Sequence, residues 1–462
     1  MKAVSSWSFA PYRPPLFDVG DIYVCRIAPE QCGFVAEWLP QKEAKAYAVS
    51  YRFYKSDAPF TTVDVTEPRV RITGLAEGRD YEFFVSAGGQ KSRLRLVRTG
   101  LVPGDSIVQY LHPEDGAYAY SGNALCSPSL VRHPDGYLLA SMDLYKGNAP
   151  QNLTLIYRSD DEGRNWYYVT ELYPCFWGKL FVHRGELYML AVSTEYGDLL
   201  IGRSEDGGKT WGMPTVLLRG AGRPTVAGVH KNPQKLLAHK GRLWTTLEWG
   251  NWQKPYHAAM CASVPEEADL LNAENWSFSD PVPYDIAWEG VSKSSKGCIE
   301  GCMVEAPDGS LLNVMRYDTL SATPAYGKAV VMRADPDRPE APLQFERVMD
   351  FPGNLSKFEI HFDAQSGRYF SIVSYLSPEH PVGRNQLSLI TSKDLVHWEL
   401  VTHIWDYSHL PAADVGFQYV NFIIENEDII LLSRTAFNGA RNYHDANYQT
   451  FTRIKKFRDL LR

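Results

Sequence analysis

Residues 204–211 read Ser-Glu-Asp-Gly-Gly-Lys-Thr-Trp, and residues 159–166, which begin 45 positions earlier, read Ser-Asp-Asp-Glu-Gly-Arg-Asn-Trp. A shorter copy, Ser-Lys-Asp-Leu-Val-His-Trp, occupies residues 392–398. In such a segment the aspartate accepts backbone N–H groups of a tight turn, and the glycine adopts a positive φ. The tryptophan is free to pack between neighbouring sheets. The copies therefore predict a repeated turn between strands, with a structural rather than a catalytic role.

Six longer segments around these turns share one pattern: an apolar strand, a tight polar turn and a second apolar strand. Their turns are centred on Gly136, Gly185, Gly241, Gly309, Gly367 and Glu427, at intervals of 49 to 68 residues. Six hairpins at this spacing predict a six-bladed β-propeller over residues 103–462. The segment Tyr448–Ile454 is too short to complete a four-stranded blade. We expect it to pair with Ser106–Leu111, which would close the ring and remove open sheet edges.

Residues 1–102 are predicted to form a separate small β-sandwich. Between about residues 18 and 99, short alternating segments are separated by turn residues at the spacing of sandwich strands. Trp38 and the later segment Leu75-Ala-Glu-Gly-Arg-Asp-Tyr81 resemble the fibronectin type III pattern, in which a core tryptophan and a corner tyrosine join two sheets. Such a module can be a spacer, a sugar-binding accessory or a lid, and the sequence leaves these roles open.

Composition agrees with an all-β chain and excludes several classes of partner. Of the 462 residues, 13% are aromatic, and 35 Gly and 29 Pro provide many turns. The chain has 47 basic and 54 acidic residues and a net charge of −7, which argues against binding to a nucleic-acid backbone. No stretch approaches the ~20 apolar residues that span a bilayer. The oligomeric state cannot be deduced from these features.

The N-terminus has no apolar run of signal-peptide type, which predicts a cytoplasmic protein, or a secreted one if a leader has been removed. The seven cysteines are odd in number and lack the spacing of a disulfide framework, so we expect buried, reduced thiols. Neither the cysteines nor the histidines and carboxylates have metal-ligand spacing. We therefore expect no metal and no cofactor.

The octets match the Asp-box motif, S-x-D-x-G-x-T-W, and the predicted propeller resembles the sialidase (neuraminidase) superfamily over about residues 104–455. The resemblance implies an active site at one end of the ring axis, with the Asp-boxes at the other. Sialidases use a tyrosine nucleophile activated by a glutamate, because a neutral phenol approaches an anionic sugar that would repel a carboxylate. The resemblance therefore implies that Tyr419 is the nucleophile and Glu300 its base, and that Arg316 and Arg384 bind the substrate carboxylate.

Two positions depart from the family pattern. Ser127 stands where the family has its first arginine, and Asn148 where it has the acid/base aspartate. Asp143, Glu195, Glu248 or the pair His444–Asp445 could replace the missing acid. Histidine suits this role because the imidazole pKa lies near neutrality. The rim is expected to include the whole segments 143–148 and 444–447. The remaining positions expected there are Arg434, Lys231, Trp249, Trp177, Lys179, His230 and Asp318. Trp177, Trp249, Trp252 and Trp288 could stack on sugar rings or pack between blades.

Three functions remain compatible with the sequence. The first is an exo-acting glycoside hydrolase that removes a terminal, acidic sugar from an oligosaccharide or glycoconjugate. The second is a polysaccharide lyase, or a glycosidase for a non-sialic sugar, that uses His444 or a Tyr–His combination. The third is a non-catalytic carbohydrate-binding propeller. The retained Glu–Tyr–Arg–Arg set is more than sugar binding alone requires, whereas Ser127 and Asn148 count against a sialidase of the usual kind.

Overall fold

The computed structural model describes residues 6–8, 20–147, 149–221, 225–253, 255–285, 287–288, 297–317 and 327–461. Within these ranges the chain is almost entirely β. It has two short 3-10 helices, Ala273–Asn275 and Phe457–Leu460, and no α-helix. Neither helix in these ranges has the length and hydrophobicity needed to cross a bilayer.

The first eight strands form two antiparallel sheets. The strands are β1 Val24–Glu30, β2 Gly33–Trp38, β3 Tyr47–Phe53, β4 Thr61–Val65, β5 Arg69–Thr73, β6 Asp80–Ala87, β7 Gln90–Lys91 and β8 Arg95–Arg98. One sheet has the order β1-β2-β5, and the other has the order β4-β3-β6, with β7 and β8 both paired to β6. Trp38 lies in the shared core against Tyr47, at 5.2 Å between ring centroids. The Tyr81 hydroxyl accepts a hydrogen bond from the backbone N–H of Ala76 at 2.9 Å.

Six further sheets follow one another along the described chain. Sheet 1 contains β10 Ala124–Arg132, β11 Leu138–Tyr145, β12 Thr154–Ser159 and β13 Tyr167–Leu172. Sheet 2 contains β14 Phe176–His183, β15 Glu186–Val192, β16 Leu199–Ser204 and β17 Thr215–Leu218. Sheet 3 contains β18 Gly228–His230, β19 Leu237–His239, β20 Arg242–Gly250, β21 Ala258–Pro265 and β22 Ser277–Phe278.

Sheet 4 contains β23 Cys298–Glu305, β24 Leu311–Tyr317, β25 Lys328–Ala334 and β26 Gln344–Asp350. Sheet 5 contains β27 Ile360–Asp363, β28 Arg368–Ser374, β29 Gln386–Ser392 and β30 Trp398–Asp406. Sheet 6 contains β31 Gly416–Glu425, β32 Asp428–Ala436 and β33 Tyr448–Ile454, and its fourth strand is β9 Ser106–Tyr110. This succession of up-and-down sheets is consistent with a β-propeller.

The six predicted hairpins and the predicted terminal pairing are confirmed. Each hairpin joins two antiparallel strands of one of the six sheets, and the five predicted turn glycines all have a positive φ. Strand β33 pairs with β32 on one side and with β9 on the other, so that Tyr448 lies opposite Tyr110. The N-terminal and C-terminal strands of this region therefore share one sheet, and neither edge of β33 is left open.

The turns at 159–166 and 204–211 have the geometry predicted for them. The Asp206 carboxylate accepts hydrogen bonds from the backbone N–H of Thr210 at 2.8 Å and from the Ser204 hydroxyl at 3.0 Å. Asp161 makes the same contacts in the earlier copy. Trp166 packs on Phe451 of sheet 6, and Trp211 packs edge-on against Trp7. These tryptophans bury the seams between neighbouring elements.

Replacing Asp206 with alanine is expected to lower the free energy of unfolding by about 1–2 kcal/mol, because the turn loses an acceptor for a backbone N–H. Urea-induced unfolding followed by tryptophan fluorescence measures this change. Glu205→Ala is the matched control, since the neighbouring Glu205 side chain contacts only Arg203 on the surface. Equal stability of the two variants would contradict a structural role for the turn.

Buried polar contacts fix the first two sheets against the ring sheets. The side chain of Gln109 on β9 accepts from the backbone N–H of Ile27 at 2.9 Å and donates to the carbonyl of Cys25 at 3.1 Å. Arg95 forms a buried ion pair with Asp115, at 2.7 Å. Residues 6–8, in contrast, pack on sheets 1 and 2, through Trp7.

The cysteines differ from expectation at one position. All seven are unpaired thiols, and six are buried as predicted, but Cys32 is exposed. Cys32 lies in the tight turn between β1 and β2, where the chain reverses at the surface and a small side chain has no core to enter.

Candidate active site

The first strands of four of these sheets carry the same distortion, and it positions the candidate site. Ser127, Trp177, Glu300 and Tyr419 each have a positive φ, between 42° and 54°, and each lies at a bulge where the strand register shifts. A left-handed conformation costs a non-glycine residue about 1–3 kcal/mol and is concentrated at functional sites. The residue after Glu300 must be glycine, because a Cβ on Gly301 would lie 2.1 Å from the Asn313 side chain.

Glu300, Arg316 and Tyr419 meet in a buried cluster. The Arg316 Nη1 donates to Glu300 Oε2 at 2.7 Å and to the Tyr419 hydroxyl at 3.3 Å. Each of the three side chains is less than one-tenth exposed. One guanidinium nitrogen therefore orients both the carboxylate and the phenol.

Charges in this cluster hold Glu300 ionised and Tyr419 neutral. Burial is the largest single effect and opposes ionisation of Glu300, but the positive charge of Arg316, its hydrogen bond and smaller effects together lower the pKa of the carboxyl below its ordinary value. Burial, followed by the neighbouring Glu300 charge, raises the pKa of Tyr419. A resting site with an ionised carboxylate and a neutral phenol follows from these two directions.

Two more arginines surround the Tyr419 ring. The guanidinium carbon of Arg434 lies 4.9 Å from the ring centroid, and that of Arg384 lies 5.8 Å from it. Arg384 donates to the side chain of Gln418, and Arg434 donates to the Cys126 sulfur at 3.1 Å. Burial lowers the pKa of Arg384 to about 10. Among the described residues neither arginine has a carboxylate partner, so both present positive charge that the protein itself does not neutralise.

His444 and Asp445 form a pair at the edge of this cluster. The Nδ1 of His444 lies 2.9 Å from the Asp445 carboxylate, and the backbone carbonyl of His444 accepts a hydrogen bond from Arg434. Burial and the charge of Arg434 lower the pKa of His444 to about 4. The imidazole packs edge-on against the Tyr145 ring. Asp445 pairs with His444, and the described residues contain no Arg434–Asp445 ion pair.

Asp143 and Lys231 are placed behind the site rather than on its surface. Asp143 is completely buried, and its carboxylate accepts from the Thr154 hydroxyl and from the backbone N–H of Trp177, the latter at 2.9 Å. Burial raises the pKa of Asp143 to about 7. The Lys231 ammonium donates to the backbone carbonyls of Trp177 and Asn232. Both side chains stabilise the distorted strand at Trp177, which differs from the substrate-facing position expected for them.

Glu248 holds a histidine next to the strand that carries Glu300. Glu248 Oε2 lies 2.6 Å from Nδ1 of His230, and its Oε1 accepts from the backbone N–H of Gly301 at 3.2 Å. Both side chains are 1% exposed. The His230 ring also packs against Trp177 and His257. This carboxylate therefore positions the bulge at Glu300 from within the core.

Glu195 and two tryptophans lie at the periphery. Glu195 accepts from the Gln151 amide at 2.8 Å and from the Trp252 indole at 3.3 Å, and the Trp252 side chain is 41% exposed. Trp249 is half-buried against the apolar core of sheets 2 and 3. Trp288 is stacked on Phe345. Of the four tryptophans considered from the sequence, Trp252 presents the most open ring.

A small pocket of about 270 Å³ opens beside Arg384. Its other lining residues are Leu355, Val382, Gly383, Ala412, Ala413 and Tyr443. In the described part of the chain no group of three or more His, Cys, Asp or Glu side chains could hold a metal ion.

The structure thus brings together six of the residues proposed from the sequence, Glu300, Arg316, Tyr419, Arg384, Arg434 and His444. Asn148 and Asp318 lie outside the described residues. Tyr145, in the rim segment 143–148 expected from the sequence, packs on Arg434 and His444. Sequence reasoning missed Gln418 and Tyr443, which contact Arg384. These two residues could have been found in part from the sequence, because Gln418 directly precedes Tyr419 and Tyr443 directly precedes His444.

No family model matches this chain, and no curated protein matches it. Several solved structures, in contrast, match this chain. The alpha-L-arabinanase of Penicillium chrysogenum, complexed with arabinobiose, is 16% identical with a TM-score of 0.53 over 77% of this chain and 98% of that chain. A Hadza microbial sialidase is 13% identical with a TM-score of 0.49 over 97% and 99% of the two chains. The leech intramolecular trans-sialidase is 11% identical with a TM-score of 0.49 over 95% and 91%. The chain therefore shares the fold of the arabinanase.

Proposed function

We propose that this protein is an exo-acting glycoside hydrolase that removes a terminal, acidic sugar from a glycan. The observation that carries the proposal is the buried Arg316 guanidinium, whose Nη1 donates both to the Glu300 carboxylate and to the Tyr419 hydroxyl. The substrate is an oligosaccharide or glycoconjugate, and no cofactor takes part in the mechanism proposed.

The architecture we propose for this activity has two parts. Residues 103–462 form a six-bladed, sialidase-like propeller, in which each of the six ring sheets is one blade and the octet turns are Asp-boxes. The order of the sheets and the β33–β9 pairing support this assignment. Residues 1–102 form a fibronectin type III-like sandwich, supported by the core position of Trp38 and the hydrogen bond to the Tyr81 hydroxyl.

In the proposed mechanism Tyr419 attacks the anomeric carbon and Glu300 accepts its proton. In the resting site this proton transfer is unfavourable, because the pKa of the Glu300 carboxyl is lowered and that of the Tyr419 phenol is raised. The proton transfer becomes favourable only as the new carbon–oxygen bond forms, because the phenolic O–H then becomes more acidic. Arg316 contacts both groups, so its charge stabilises whichever of them carries the negative charge.

Arg384 and Arg434 are proposed to bind the anionic group of the sugar. Leaving two buried guanidinium groups without a counter-charge is costly, and a substrate carboxylate would neutralise them. Guanidinium groups bind carboxylates through paired N–H donors, which also fixes the orientation of the sugar. The unmatched charge of these arginines is the feature that favours an acidic over a neutral terminal sugar.

His444 is the group we propose for proton transfer to the leaving oxygen, supported by Asp445. With its pKa near 4 the imidazole is neutral at pH 7, where it can accept a proton from water in the second step but is a poor donor in the first. Substrates with an activated leaving group are therefore expected to react at neutral pH, whereas natural linkages require acidic conditions.

A panel of aryl glycosides tests the proposal. The panel contains sialosides, uronides, deoxysugars and, because the arabinanase shares the fold, arabinofuranosides. Release of the phenol from an acidic sugar, without an unsaturated product absorbing in the ultraviolet, is the expected result. An unsaturated product would indicate a lyase that uses His444. Sugar binding without turnover of any substrate would indicate a carbohydrate-binding propeller.

Replacing Arg316 with methionine is expected to move the acid limb of the pH–rate profile upward by about one unit or more. Glu300 must be ionised to act as base, and its lowered pKa keeps it ionised below its ordinary value of 4.5, so activity is lost only as pH falls through that lowered pKa. Removing Arg316 takes away the largest effect that lowers this pKa. The measurement is kcat/KM against pH with an activated aryl substrate.

The matched control for this prediction is Arg333→Met, which removes a half-exposed guanidinium from the same sheet. Its acid limb should coincide with that of the unmodified enzyme. An acid limb that stays in place in Arg316→Met would show that Glu300 is not the titrating base.

A further inference from the structure

Lysine side chains from several sheets converge at the centre of the ring. The Lys179 ammonium, on sheet 2, donates to the Asn421 side chain on sheet 6 at 3.0 Å. Lys235, between β18 and β19 of sheet 3, donates to the backbone carbonyl of Ile360 on sheet 5. These contacts join sheets that are not consecutive in the chain. Inner strands of such sheets can approach each other only around the ring axis.

Two of these lysines are buried without a carboxylate partner in the part of the chain that the structure describes. Lys231 is 0% exposed and Lys179 is 6% exposed. The Lys231 ammonium donates only to two backbone carbonyls, and that of Lys179 only to the Asn421 amide oxygen. An ammonium has three N–H donors, so each lysine retains at least one donor without an acceptor.

The two carboxylates near these lysines already have other partners. Glu359 is completely buried and lies 3.1 Å from the ammonium of a third lysine, Lys357, while its other oxygen accepts from Asn421 at 2.6 Å. The Asp143 carboxylate, near Lys231, accepts from Thr154 and from backbone N–H groups. The centre therefore has more buried positive than negative groups. In agreement, burial lowers the pKa of Lys231 to about 7 and that of Lys179 to about 8.

We propose that a small inorganic anion of the chloride class binds at the ring centre between the ammonium groups of Lys179 and Lys231. Such an ion would accept the remaining ammonium N–H donors and neutralise charge that is costly to bury. Asn232, the residue after Lys231, is 1% exposed, and its side-chain nitrogen has no partner among the described residues. Its side-chain oxygen has no partner among the described residues either, so the amide offers both an unpaired donor and an unpaired acceptor. This proposal is independent of the glycosidase mechanism.

Thermal unfolding in chloride and in gluconate of equal ionic strength tests the site. A ligand that binds only the folded state raises the unfolding midpoint by mass action, and gluconate, a much larger organic anion, is the reference salt. We expect a saturable rise of about 2 °C in chloride. Lys231→Met should abolish the rise, and Lys209→Met, at an exposed turn lysine, should retain it. Equal midpoints in the two salts, or a rise that persists in Lys231→Met, would overturn the proposal.

A second measurement covers the case in which Lys231→Met does not fold. Crystals of the unmodified protein soaked in bromide should show an anomalous scattering peak within hydrogen-bond distance of Nζ of both Lys179 and Lys231. Bromide replaces chloride because it has a similar size and a usable absorption edge. A peak only at surface sites, or a water at the centre, would show that the ammonium groups are solvated or neutral, and that no anion site exists there.

Discussion

Replacing Tyr419 with phenylalanine is expected to lower kcat by about 1,000-fold or more on any substrate that the unmodified enzyme turns over. The change removes one oxygen atom, which in the proposed mechanism forms the bond to the anomeric carbon. The aromatic ring remains, so the packing of Arg384 and Arg434 around it is preserved. The loss should therefore appear in kcat, with the far-ultraviolet circular dichroism spectrum and the unfolding midpoint nearly unchanged.

Tyr188→Phe is the matched control, because the Tyr188 hydroxyl donates to Glu186 at a hairpin turn of sheet 2, away from the candidate site. It should retain full activity. Glu300→Gln separates the two partners, since it removes the base but leaves the nucleophile in place, and we expect a smaller loss of about 100-fold with activated aryl substrates. If Tyr419→Phe kept a kcat within a few-fold of the unmodified value, Tyr419 would not be the nucleophile and the proposed chemistry would be wrong.

The sequence predicts the strands of the ring because each hairpin needs alternating apolar residues around a turn that favours glycine, as at Gly309 and Gly367. The convergence of Glu300 and Tyr419 is instead implied by the resemblance to the sialidase superfamily, in which the glutamate and the tyrosine each open a blade at the active-site end. The left-handed conformations of Ser127, Trp177, Glu300 and Tyr419 have no such signal. They depend on contacts made by other sheets, such as the hydrogen bond from Gly301 to Glu248, which no local pattern encodes.

For Lys231 and Asp143 the sequence does predict a position, but the structure places the side chains elsewhere. Lys231 directly follows the first strand of sheet 3, and Asp143 lies near the end of the second strand of sheet 1. Because both are polar, the sequence predicts that their side chains face solvent at the rim. In the structure the Lys231 ammonium turns inward to backbone carbonyls left free by the distorted strands, and Asp143 accepts the N–H of Trp177. A polar residue in an apolar strand indicates a buried acceptor or donor as readily as a substrate contact. The contacts made by the neighbouring strand decide whether such a residue is buried or faces the substrate.

Sheet 6 depends on the last strand of the chain, and this dependence predicts the effect of a truncation. Strand β33 is hydrogen-bonded to β32 and to β9, so its removal would leave two inner edges of one sheet without partners. Tyr448 and Phe451 on β33 are buried, and losing two aromatic side chains from a core costs roughly 6 kcal/mol or more. That is comparable to the whole stability of an ordinary domain, about 5–15 kcal/mol.

A chain that ends at residue 446 is therefore expected to lose its cooperative thermal transition, as followed by circular dichroism and tryptophan fluorescence. A chain that ends at residue 455 is the matched control. It keeps β33 and loses only the last 3-10 helix, with Phe457 and the Arg458–Asp363 ion pair. This control should still unfold cooperatively, at a lower midpoint, because its sheet is closed. A truncation at 446 with an unchanged melting curve would mean that the ring closes without the β33–β9 pairing, and the proposed topology would then have to be abandoned.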